Sequence, residues 1–202
     1  MMYAIIALAG YFMGSSNLAW YMSKLRGFDI RNHGSNNAGA SNAAVTMGFK
    51  VGIIVAVHDI AKAFLSALIA TLLFPSLPYA GAVAGVSAVL GHIFPLFLHF
   101  RGGKGLAPFM GLVLALDWRF FLILAVAILL ITLITDYISL GAITAILSFP
   151  SYLYFTNKAL IMVALIAFAS SVMLYKHAIN IKRLCTGQEI GLRRTLSKKD
   201  RV

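Results

Sequence analysis

The stretch AFLSALIATLLFPSLPYAGAVAGVSAVLGHIFPLFLHF, residues 63–100, contains no Lys, Arg, Asp or Glu. Pro75 and Pro78 divide it into two apolar parts, and prolines this close together are typical of a turn. A helix needs about 20 mostly apolar residues to cross a bilayer, and each part can belong to a segment of that length. The stretch therefore predicts two membrane-spanning helices joined by a short turn.

The rest of the chain extends this interpretation. Only 11% of its 202 residues are charged and 60% are hydrophobic, whereas about a quarter of a soluble domain is charged. A surface with so few charges must face lipid over most of its area. The first apolar segment has no basic n-region, so we interpret it as a span and not as a signal peptide. The segments of spanning length are 2–24, 49–73, 80–100, 119–135, 137–156 and 159–177.

The distribution of basic residues indicates the topology. The segment 106–116 is apolar but short. Whether it crosses the membrane decides on which side of the membrane the residues after it lie. If it crosses, one face receives fourteen basic residues and the other only Arg119 and Lys158, which is the positive-inside pattern. The fourteen are Lys24, Arg26, Arg31, Lys50, Arg101, Lys104, Lys176, Lys182, Arg183, Arg193, Arg194, Lys198, Lys199 and Arg201. We therefore predict an all-α polytopic membrane protein with about seven transmembrane helices, including the short span 106–116, an outside N-terminus and a cytoplasmic C-terminus.

The predicted organisation is a single integral membrane domain, 1–202, with a cytoplasmic Gly/Ser/Asn-rich loop at 25–43 and a basic cytoplasmic tail at 178–202. The net charge of +11 does not indicate nucleic acid, because the basic residues lie at the ends of apolar segments and not on a soluble basic patch. The chain has no H-E-x-x-H motif or Cys/His cluster that would predict a metal site. It also has no G-x-S-x-G motif, and we expect no cofactor.

The first polar cluster, RNHGSNNAGASNAA at 31–44, is crowded with Gly, Ser and Asn. Small residues let successive backbone N–H groups converge into a nest that binds anions. Ser41 or Asn42 could also cap the helix predicted at 49–73, whose N-terminus would favour a phosphate. Taken alone, however, the cluster is more typical of a flexible polar loop.

The second polar cluster, FRGGKG at 100–105, ends the charge-free stretch. Its glycines allow a ligand to approach the backbone closely, and Lys104 supplies a compact cation. A snorkelling pair of basic residues would explain the charges but not the glycines, so we favour a phosphate site. It is not a Walker A loop, because Gly105 follows the lysine. His92 lies about two helical turns deeper, either as a ligand contact or as a hydrogen-bonded structural residue.

The third polar cluster, KHAINIKRLCTGQEIGLR at 176–193, follows the last predicted span. His177 and Asn180 are three residues apart and share a helical face. Glu189 is the one acidic residue of this cluster. We expect Glu189 to bridge basic residues and to hold the site together.

Two charged residues also lie inside a predicted span. Asp59 and Lys62 are three residues apart in 49–73. Buried charges in lipid are costly unless they are paired, so we predict a structural ion pair. We expect His58, which precedes Asp59, to point to another face of the helix.

The three clusters, in this order and spacing, resemble the acyl-phosphate:glycerol-3-phosphate acyltransferase family of bacterial membranes, often called PlsY. The resemblance covers about residues 14 to 191, and the second and third motifs are highly specific. The matching motifs are Ser35-Asn-Asn-Ala-Gly-Ala-Ser-Asn42, the segment from Gly91-His92 through Gly105, the segment from His177 through Glu189, and Asp-x-x-Lys at 59–62.

The resemblance implies a reaction. Glycerol 3-phosphate from the cytoplasm would attack a long-chain acyl phosphate, giving 1-acylglycerol 3-phosphate (lysophosphatidic acid) and inorganic phosphate for phospholipid biosynthesis. Acyl-CoA and acyl carrier protein would not be used. The resemblance also implies a multi-pass protein in the lipid bilayer of the bacterial inner membrane, with an active site that faces the cytoplasm.

The resemblance further implies roles for single residues. Ser35, His177 and Asn180 are the expected catalytic residues, and the last two would orient the reacting groups. Lys104 and Ser35 would bind the phosphate of glycerol 3-phosphate, aided by the backbone of residues 102–103. The expected substrate-binding residues are Lys104, Gly102, Gly103, Gly105, Asn37, Gly39, Ser41, Asn42 and His92, of which Asn37, Gly39 and Asn42 would shape a hole for the acyl phosphate. Glu189, Asp59 and Lys62 are expected as structural support.

The chain departs from the family pattern at several positions. Val45 stands where the family carries an Arg that is expected to contact phosphate. The other departures are Asn17 for Pro, Asn36 for Gly, Ala63 for Gly and Pro108 for Thr. The alternative function is a membrane transporter for an organic phosphate, although transporters tend to place polar residues near the membrane midplane and these clusters lie at one interface.

Overall fold

A computed structural model of the chain describes residues 1–189 and 191–193. Within these residues the regular structure is helical and no strand is present. The helices are α1 (Met2–Ser15), α2 (Leu18–Leu25), α3 (Ala40–Met47), α4 (Phe49–Leu73), α5 (Ala80–Ile93), α6 (Leu106–Leu116), α7 (Trp118–Thr135), α8 (Ile138–Phe155), α9 (Leu160–Lys176) and α10 (Ala178–Cys185). The chain packs as two compact units, of which the first is Met1–Leu116 and the second begins at Asp117. The interpretation of 1–202 as a single domain stays a prediction.

The helix lengths confirm an all-α integral membrane protein. In the described part of the chain, five helical segments are long and apolar enough to cross a membrane. The helices α9 and α10, which meet at a bend of 58°, provide a sixth if they form one span. The predicted spans 49–73, 119–135, 137–156 and 159–177 agree with single helices to within one residue at each end. The predicted span 2–24 is divided into α1 and α2, and the predicted span 80–100 extends beyond α5, which ends at Ile93. Helix α6 is a shorter apolar helix of the predicted extent, and its crossing, like the orientation of the termini, stays a prediction. Of the predicted tail, residues 190 and 194–202 lie outside the described residues.

Large apolar side chains on the outside of each unit show why these helices need lipid. Leu72 and Leu73 of α4 are each 68% exposed, and Ile134 of α7 is 80% exposed. Helix α7 is almost entirely apolar after Arg119, and only 11% of its spanning window is buried inside the protein. Such surfaces are stable against hydrocarbon, because a helix satisfies its own backbone hydrogen bonds there.

In the first unit, α1 and α5 pack at very close range. A Cβ atom built on Gly14 of α1 would overlap the carbonyl oxygen of Ala88, and one built on Gly91 of α5 would overlap the carbonyl oxygen of Tyr11. Small residues commonly allow membrane helices to approach in this way. The contact holds the C-terminal end of α5, and with it His92, against the break between α1 and α2.

The break in the first span has a clear cause. Asn17 lies between α1 and α2, and its Oδ1 atom accepts a hydrogen bond from the backbone N–H of Trp20 at 2.9 Å, which caps α2. Its Nδ2 group donates to the carbonyl oxygen of Ala38 at 2.9 Å. Asn17 is 2% exposed. The asparagine that replaces the family proline therefore starts a helix and also holds the polar loop that precedes α3.

The helix α3 was not predicted as a separate element. Residues 40–47 form it, and Gly48 then ends it with a φ of 101°, a left-handed value that favours glycine. Ser41 and Asn42 lie inside α3, whose N-cap is Gly39. The prediction that Ser41 or Asn42 caps the helix at 49–73 is therefore wrong, because that helix begins after Gly48.

The second unit is built on α7, α8 and α9. The Oδ1 atom of Asp117 accepts from the backbone N–H of Phe120 and caps α7, and the hydroxyl of Tyr152 in α8 donates to Asp117 Oδ2 at 2.6 Å. Asp136 ends α7 in the left-handed conformation with a φ of 67°. The backbone N–H of Arg193 donates to Asp136 Oδ1 at 2.8 Å. The chain after α10 therefore returns to the break between α7 and α8.

Candidate functional site

The first polar cluster forms a loop around one buried side chain. Asn42 is fully buried in α3. Its Nδ2 group contacts the carbonyl oxygens of Ile30, His33 and Asn37 at 3.1, 2.9 and 2.8 Å, and its Oδ1 atom accepts from the backbone N–H of Ser35 at 2.9 Å. Because both ends of the amide are used, Asn42 shapes the loop from within. The flexible-loop alternative does not describe a segment held in this way.

The predicted binding residues around Asn42 differ in how far they are exposed. Ser35 and Ser41 are exposed, Asn37 is half-buried and Gly39 is buried. A Cβ on Gly39 would come within 3.1 Å of Asn37 Nδ2. Asn36 has a φ of 54°, and asparagine tolerates this left-handed conformation better than other side chains. The departure from the family glycine at Asn36 therefore preserves the turn.

An ionic clamp that the sequence did not reveal joins the first cluster to the segment just before the second. The Arg31 guanidinium contacts Asp29 Oδ1 through Nε at 3.0 Å and Oδ2 through Nη2 at 2.8 Å, and Nη1 donates to the carbonyl oxygen of Leu98 at 2.8 Å. The hydrogen bond with Arg31 holds the pKa of the Asp29 carboxyl well below its usual range. Lys24 adds a second ion pair to Asp29 at 3.2 Å. Sequence reasoning missed this clamp because Arg31 and Leu98 belong to distant segments.

The second cluster folds back onto the end of α5. The backbone N–H groups of Gly102 and Gly103 donate to the carbonyl oxygens of Ile93 and His92 at 3.2 and 3.1 Å. A Cβ on Gly103 would overlap His92 Nε2, so only glycine allows this approach. These two N–H groups are used inside the fold, and the glycines therefore act by bringing the loop against His92. The resemblance implied that the backbone of residues 102–103 aids phosphate binding, but both N–H groups already donate to α5.

Lys104 occupies the tip of this folded segment. It is half-buried between two buried glycines, and Gly105 has a φ of 98° that favours glycine. The chain passes from Gly105 directly into α6. The carbonyl oxygen of Gly105 accepts a hydrogen bond from the backbone N–H of Phe109 at 2.9 Å and so closes the first turn of this helix. We name residues 102–105 the glycine loop. The fold thus fixes the backbone on both sides of one cationic side chain.

Beneath the glycine loop lies a buried polar network in which the predicted ion pair is present. Lys62 Nζ lies 2.7 Å from Asp59 Oδ1 and 2.9 Å from His92 Nδ1. All three side chains are at least nine-tenths buried. His58 was expected on another face, but its Nδ1 atom reaches Asp59 Oδ1 at 3.3 Å and its Nε2 atom lies 3.3 Å from Ser16 Oγ. The first unit therefore brings His92, Asp59 and Lys62 together with the glycine loop.

The second unit brings together the residues of the third cluster. His177 lies at the bend between α9 and α10, with Nδ1 2.8 Å from the carbonyl oxygen of Met173. Asn180 Nδ2 donates to Glu189 Oε1 at 2.7 Å, and the hydroxyl of Ser139 donates to the same oxygen at 2.8 Å. His177 and Asn180 are 3% and 7% exposed. The Glu189 carboxylate, which Ser139 also contacts, therefore fixes the orientation of the Asn180 amide.

The expected role of Glu189 needs a correction. It was predicted to bridge basic residues, but among the described residues its hydrogen-bond partners are the amide of Asn180 and the hydroxyl of Ser139. Ser139 lies at the start of α8, far along the chain. No pattern in the sequence connects Ser139 with Glu189, so this contact could not be predicted.

Comparisons with known proteins place these features in a family context. A family model described as glycerol-3-phosphate acyltransferase matches residues 4–187. The glycerol-3-phosphate acyltransferase of Fusobacterium nucleatum subsp. nucleatum is 35% identical over 183 residues, which cover 89% of this chain and 92% of the relative.

The chain is also similar to two crystal structures of PlsY (YgiH), an integral membrane glycerol 3-phosphate acyltransferase. One is its glycerol 3-phosphate form, with 33% identity and a TM-score of 0.90. The other is its lysophosphatidic acid form, with 32% identity and a TM-score of 0.87. Both similarities cover 98% of this chain and 100% of the solved chain.

Proposed function

The chain belongs to the glycerol-3-phosphate acyltransferase family, and from this membership we propose that it transfers an acyl group from a long-chain acyl phosphate to glycerol 3-phosphate. The products would be lysophosphatidic acid and inorganic phosphate, and the reaction would serve phospholipid biosynthesis. The chain is an acyltransferase, as the resemblance of its three polar clusters implied. The donor, the acceptor and the residues that bind them are the parts proposed here.

The observation that carries the proposal is the fixed glycine loop. Gly103 is packed against His92 and Gly105 leads into α6, so the backbone on both sides of Lys104 is held in place by contacts. A lysine ammonium is a compact cation suited to a phosphate oxygen. We assign Lys104 and the exposed Ser35 to the phosphate of glycerol 3-phosphate. Asn37 and Gly39 border the hole assigned to the acyl phosphate, and Asn42 holds its shape.

The proposed reaction needs little beyond positioning. A hydroxyl of glycerol 3-phosphate attacks the carbonyl carbon of the acyl phosphate, an ester C–O bond forms, and the anhydride C–O bond to phosphate breaks. The hydroxyl proton passes to a phosphate oxygen of a substrate, and no covalent acyl-enzyme forms. Because a mixed anhydride is already activated, orientation and charge stabilisation can supply much of the rate enhancement. His177 and Asn180 are the residues that we assign to orienting the reacting groups.

The proposed location follows from the same features. The apolar helices hold the chain in the bilayer, where a long acyl chain also resides. The basic residues favour a cytoplasmic position for the glycine loop and for the third cluster. We therefore propose a bacterial inner-membrane enzyme whose active site takes glycerol 3-phosphate from the cytoplasm.

A proteoliposome assay tests this function against the transporter alternative, which the family comparisons do not support. Purified protein is reconstituted and supplied with radiolabelled glycerol 3-phosphate, with or without palmitoyl phosphate. We expect label in extracted lysophosphatidic acid only when palmitoyl phosphate is present. Label that accumulates in the lumen as unmodified glycerol 3-phosphate, without lipid product, would contradict the proposal and support transport.

A further inference from the structure

The Lys62 ammonium has as many close acceptors as it has hydrogens. An ammonium has three N–H donors. Nζ lies 2.7 Å from Asp59 Oδ1, 2.7 Å from the carbonyl oxygen of Ser16 and 2.9 Å from His92 Nδ1. The Lys62 side chain is 5% exposed, so these three atoms satisfy it inside the protein. The third bond requires His92 Nδ1 to be an acceptor.

An acceptor at Nδ1 determines where the imidazole carries its proton. In a neutral histidine one ring nitrogen is a donor and the other is an acceptor. The competing arrangement, in which Nδ1–H donates to Asp59 Oδ1, spans 3.5 Å, which is long for such a bond. That oxygen already accepts from Lys62 and also lies near His58. The proton of His92 therefore belongs on Nε2.

The Nε2 atom faces the glycine loop. A Cβ on Gly103 would overlap it, and the N–H of Gly103 donates to the carbonyl oxygen of His92. The Nε2–H group is consequently a donor beside the residue that precedes Lys104. In the opposite tautomer, the same position would present a lone pair, which repels an anion.

We propose that Lys62 is a positioning residue that fixes His92 in its Nε2–H tautomer, so that the imidazole donates a hydrogen bond to a phosphate oxygen at the glycine loop. The phosphate belongs to glycerol 3-phosphate or to the acyl phosphate. The identity of the ligand rests on the proposed function, but the tautomer does not. Lys62 thus acts on the substrate through His92, without touching it.

Nitrogen-15 NMR tests the tautomer without any reaction. Protein labelled at histidine is placed in lipid nanodiscs, and the His92 signals are assigned by their loss in His92→Gln. We expect a protonated Nε2 and a bare Nδ1 in the wild-type protein, and a shift of the Nε2 signal when glycerol 3-phosphate or inorganic phosphate is added. A proton on Nδ1 would overturn the proposal even if the enzyme is fully active. An inactive enzyme with the expected tautomer would instead refute the proposed function.

Two double variants separate positioning from simple charge pairing. Lys62→Met alone leaves Asp59 buried without its cation, which is strongly destabilising. Asp59→Asn/Lys62→Met and Asp59→Leu/Lys62→Met both remove the two charges. Only the asparagine retains an N–H group that can donate to His92 Nδ1.

We expect the two double variants to unfold at similar temperatures but to differ in activity. The leucine variant should lose about tenfold or more in kcat/KM relative to the asparagine variant, since about 1.4 kcal/mol corresponds to tenfold. A rise in KM for only one substrate would identify whose phosphate His92 contacts. Equal activities in two equally stable variants would overturn the positioning role and leave an ion pair that only stabilises the fold.

Discussion

Lys104 is the side chain on which we expect phosphate binding to depend most. Replacing it by alanine removes one charge-assisted contact to phosphate, and such contacts contribute about 1.5–3 kcal/mol. We expect Lys104→Ala to lower kcat/KM for glycerol 3-phosphate by roughly ten- to a hundredfold. The measurement is steady-state kinetics in detergent or nanodiscs, with thermal unfolding as a check on folding.

Lys158 offers the matched control for Lys104. It is an exposed lysine in the turn that joins α8 and α9, on the face predicted to lie outside. Lys158→Ala should leave kcat/KM for glycerol 3-phosphate unchanged. Equal kinetics in Lys104→Ala and wild type would show that Lys104 is only a snorkelling charge.

Val45 offers a gain-of-function prediction. It lies in α3, three residues past Asn42, where the family carries arginine, and it is half-buried. An arginine there could make a forked contact with phosphate that valine cannot make. We expect Val45→Arg to raise kcat/KM for glycerol 3-phosphate by about tenfold, or roughly 1.4 kcal/mol.

A triple variant tests whether these residues share one phosphate. The gain from Val45→Arg should disappear when Lys104→Ala and Ser35→Ala are also present. A folded Val45→Arg protein with unchanged kinetics would show that this pocket differs from the family pattern, and that the role assigned to the first cluster is incorrect.

Asp29 gives a prediction for pH. Its pKa is lowered by the hydrogen bond with Arg31, whereas an unperturbed Asp titrates near about 3.9. A carboxyl whose folded pKa is depressed contributes stability above its unfolded pKa and loses it as pH falls toward the folded value. The difference in unfolding midpoint between wild type and Asp29→Asn should therefore be constant from about pH 8 to pH 5 and should shrink below about pH 4. A difference that changes between about pH 6 and pH 8 would contradict the clamp.

At the scale of elements, the loop before α3 depends on one amide. Asn42→Ala removes an amide whose two N–H donors are shared among three carbonyl oxygens and whose oxygen accepts from the N–H of Ser35. At about 1 kcal/mol for each hydrogen bond, the cost is several kcal/mol. We expect a lower unfolding midpoint and faster hydrogen exchange in residues 30–39.

Asn32→Ala is the control for this variant, because Asn32 is exposed in the same loop. It should change neither hydrogen exchange nor the unfolding midpoint by more than a small fraction of the Asn42→Ala effect. Similar exchange in both variants would mean that the loop is not held by Asn42.

The long helices could be predicted because lipid imposes a length and a composition on every span. The prediction of 119–135 and the observed Trp118–Thr135 differ by one residue at one end. Short elements follow other rules. The helix α3 ends where Gly48 adopts a positive φ, and the break before α2 depends on a cap from Asn17, so hydropathy does not reveal either boundary.

The candidate site was predictable where its residues are close in sequence. Asp59 and Lys62 share a helical face, and the ion pair follows from the cost of burying charge. The contact from Arg31 to Leu98 and the one from Ser139 to Glu189 join segments that only folding brings together. The hydrogen bond from the N–H of Gly103 to the carbonyl oxygen of His92 forms because the glycine loop folds back onto α5. A sequence motif does not specify this path of the chain.

For the whole molecule, the predicted topology can be tested by single cysteines in a Cys185→Ser background. Cysteines at Ser35, Thr186 and Ser197 should react with an impermeant reagent from the cytoplasmic side only. One at Asn157 should react only from outside. Labelling of Ser35 and Thr186 from opposite sides would contradict the predicted topology.

The choice of acyl donor tests whether this enzyme transfers an acyl group from acyl phosphate to glycerol 3-phosphate. Purified wild-type protein is given glycerol 3-phosphate with either palmitoyl phosphate or palmitoyl-CoA, and lysophosphatidic acid is measured by mass spectrometry. We expect product with palmitoyl phosphate, little or none with palmitoyl-CoA, and a much lower rate for Lys104→Ala with palmitoyl phosphate. Turnover with palmitoyl-CoA that equals or exceeds turnover with palmitoyl phosphate would contradict this expectation.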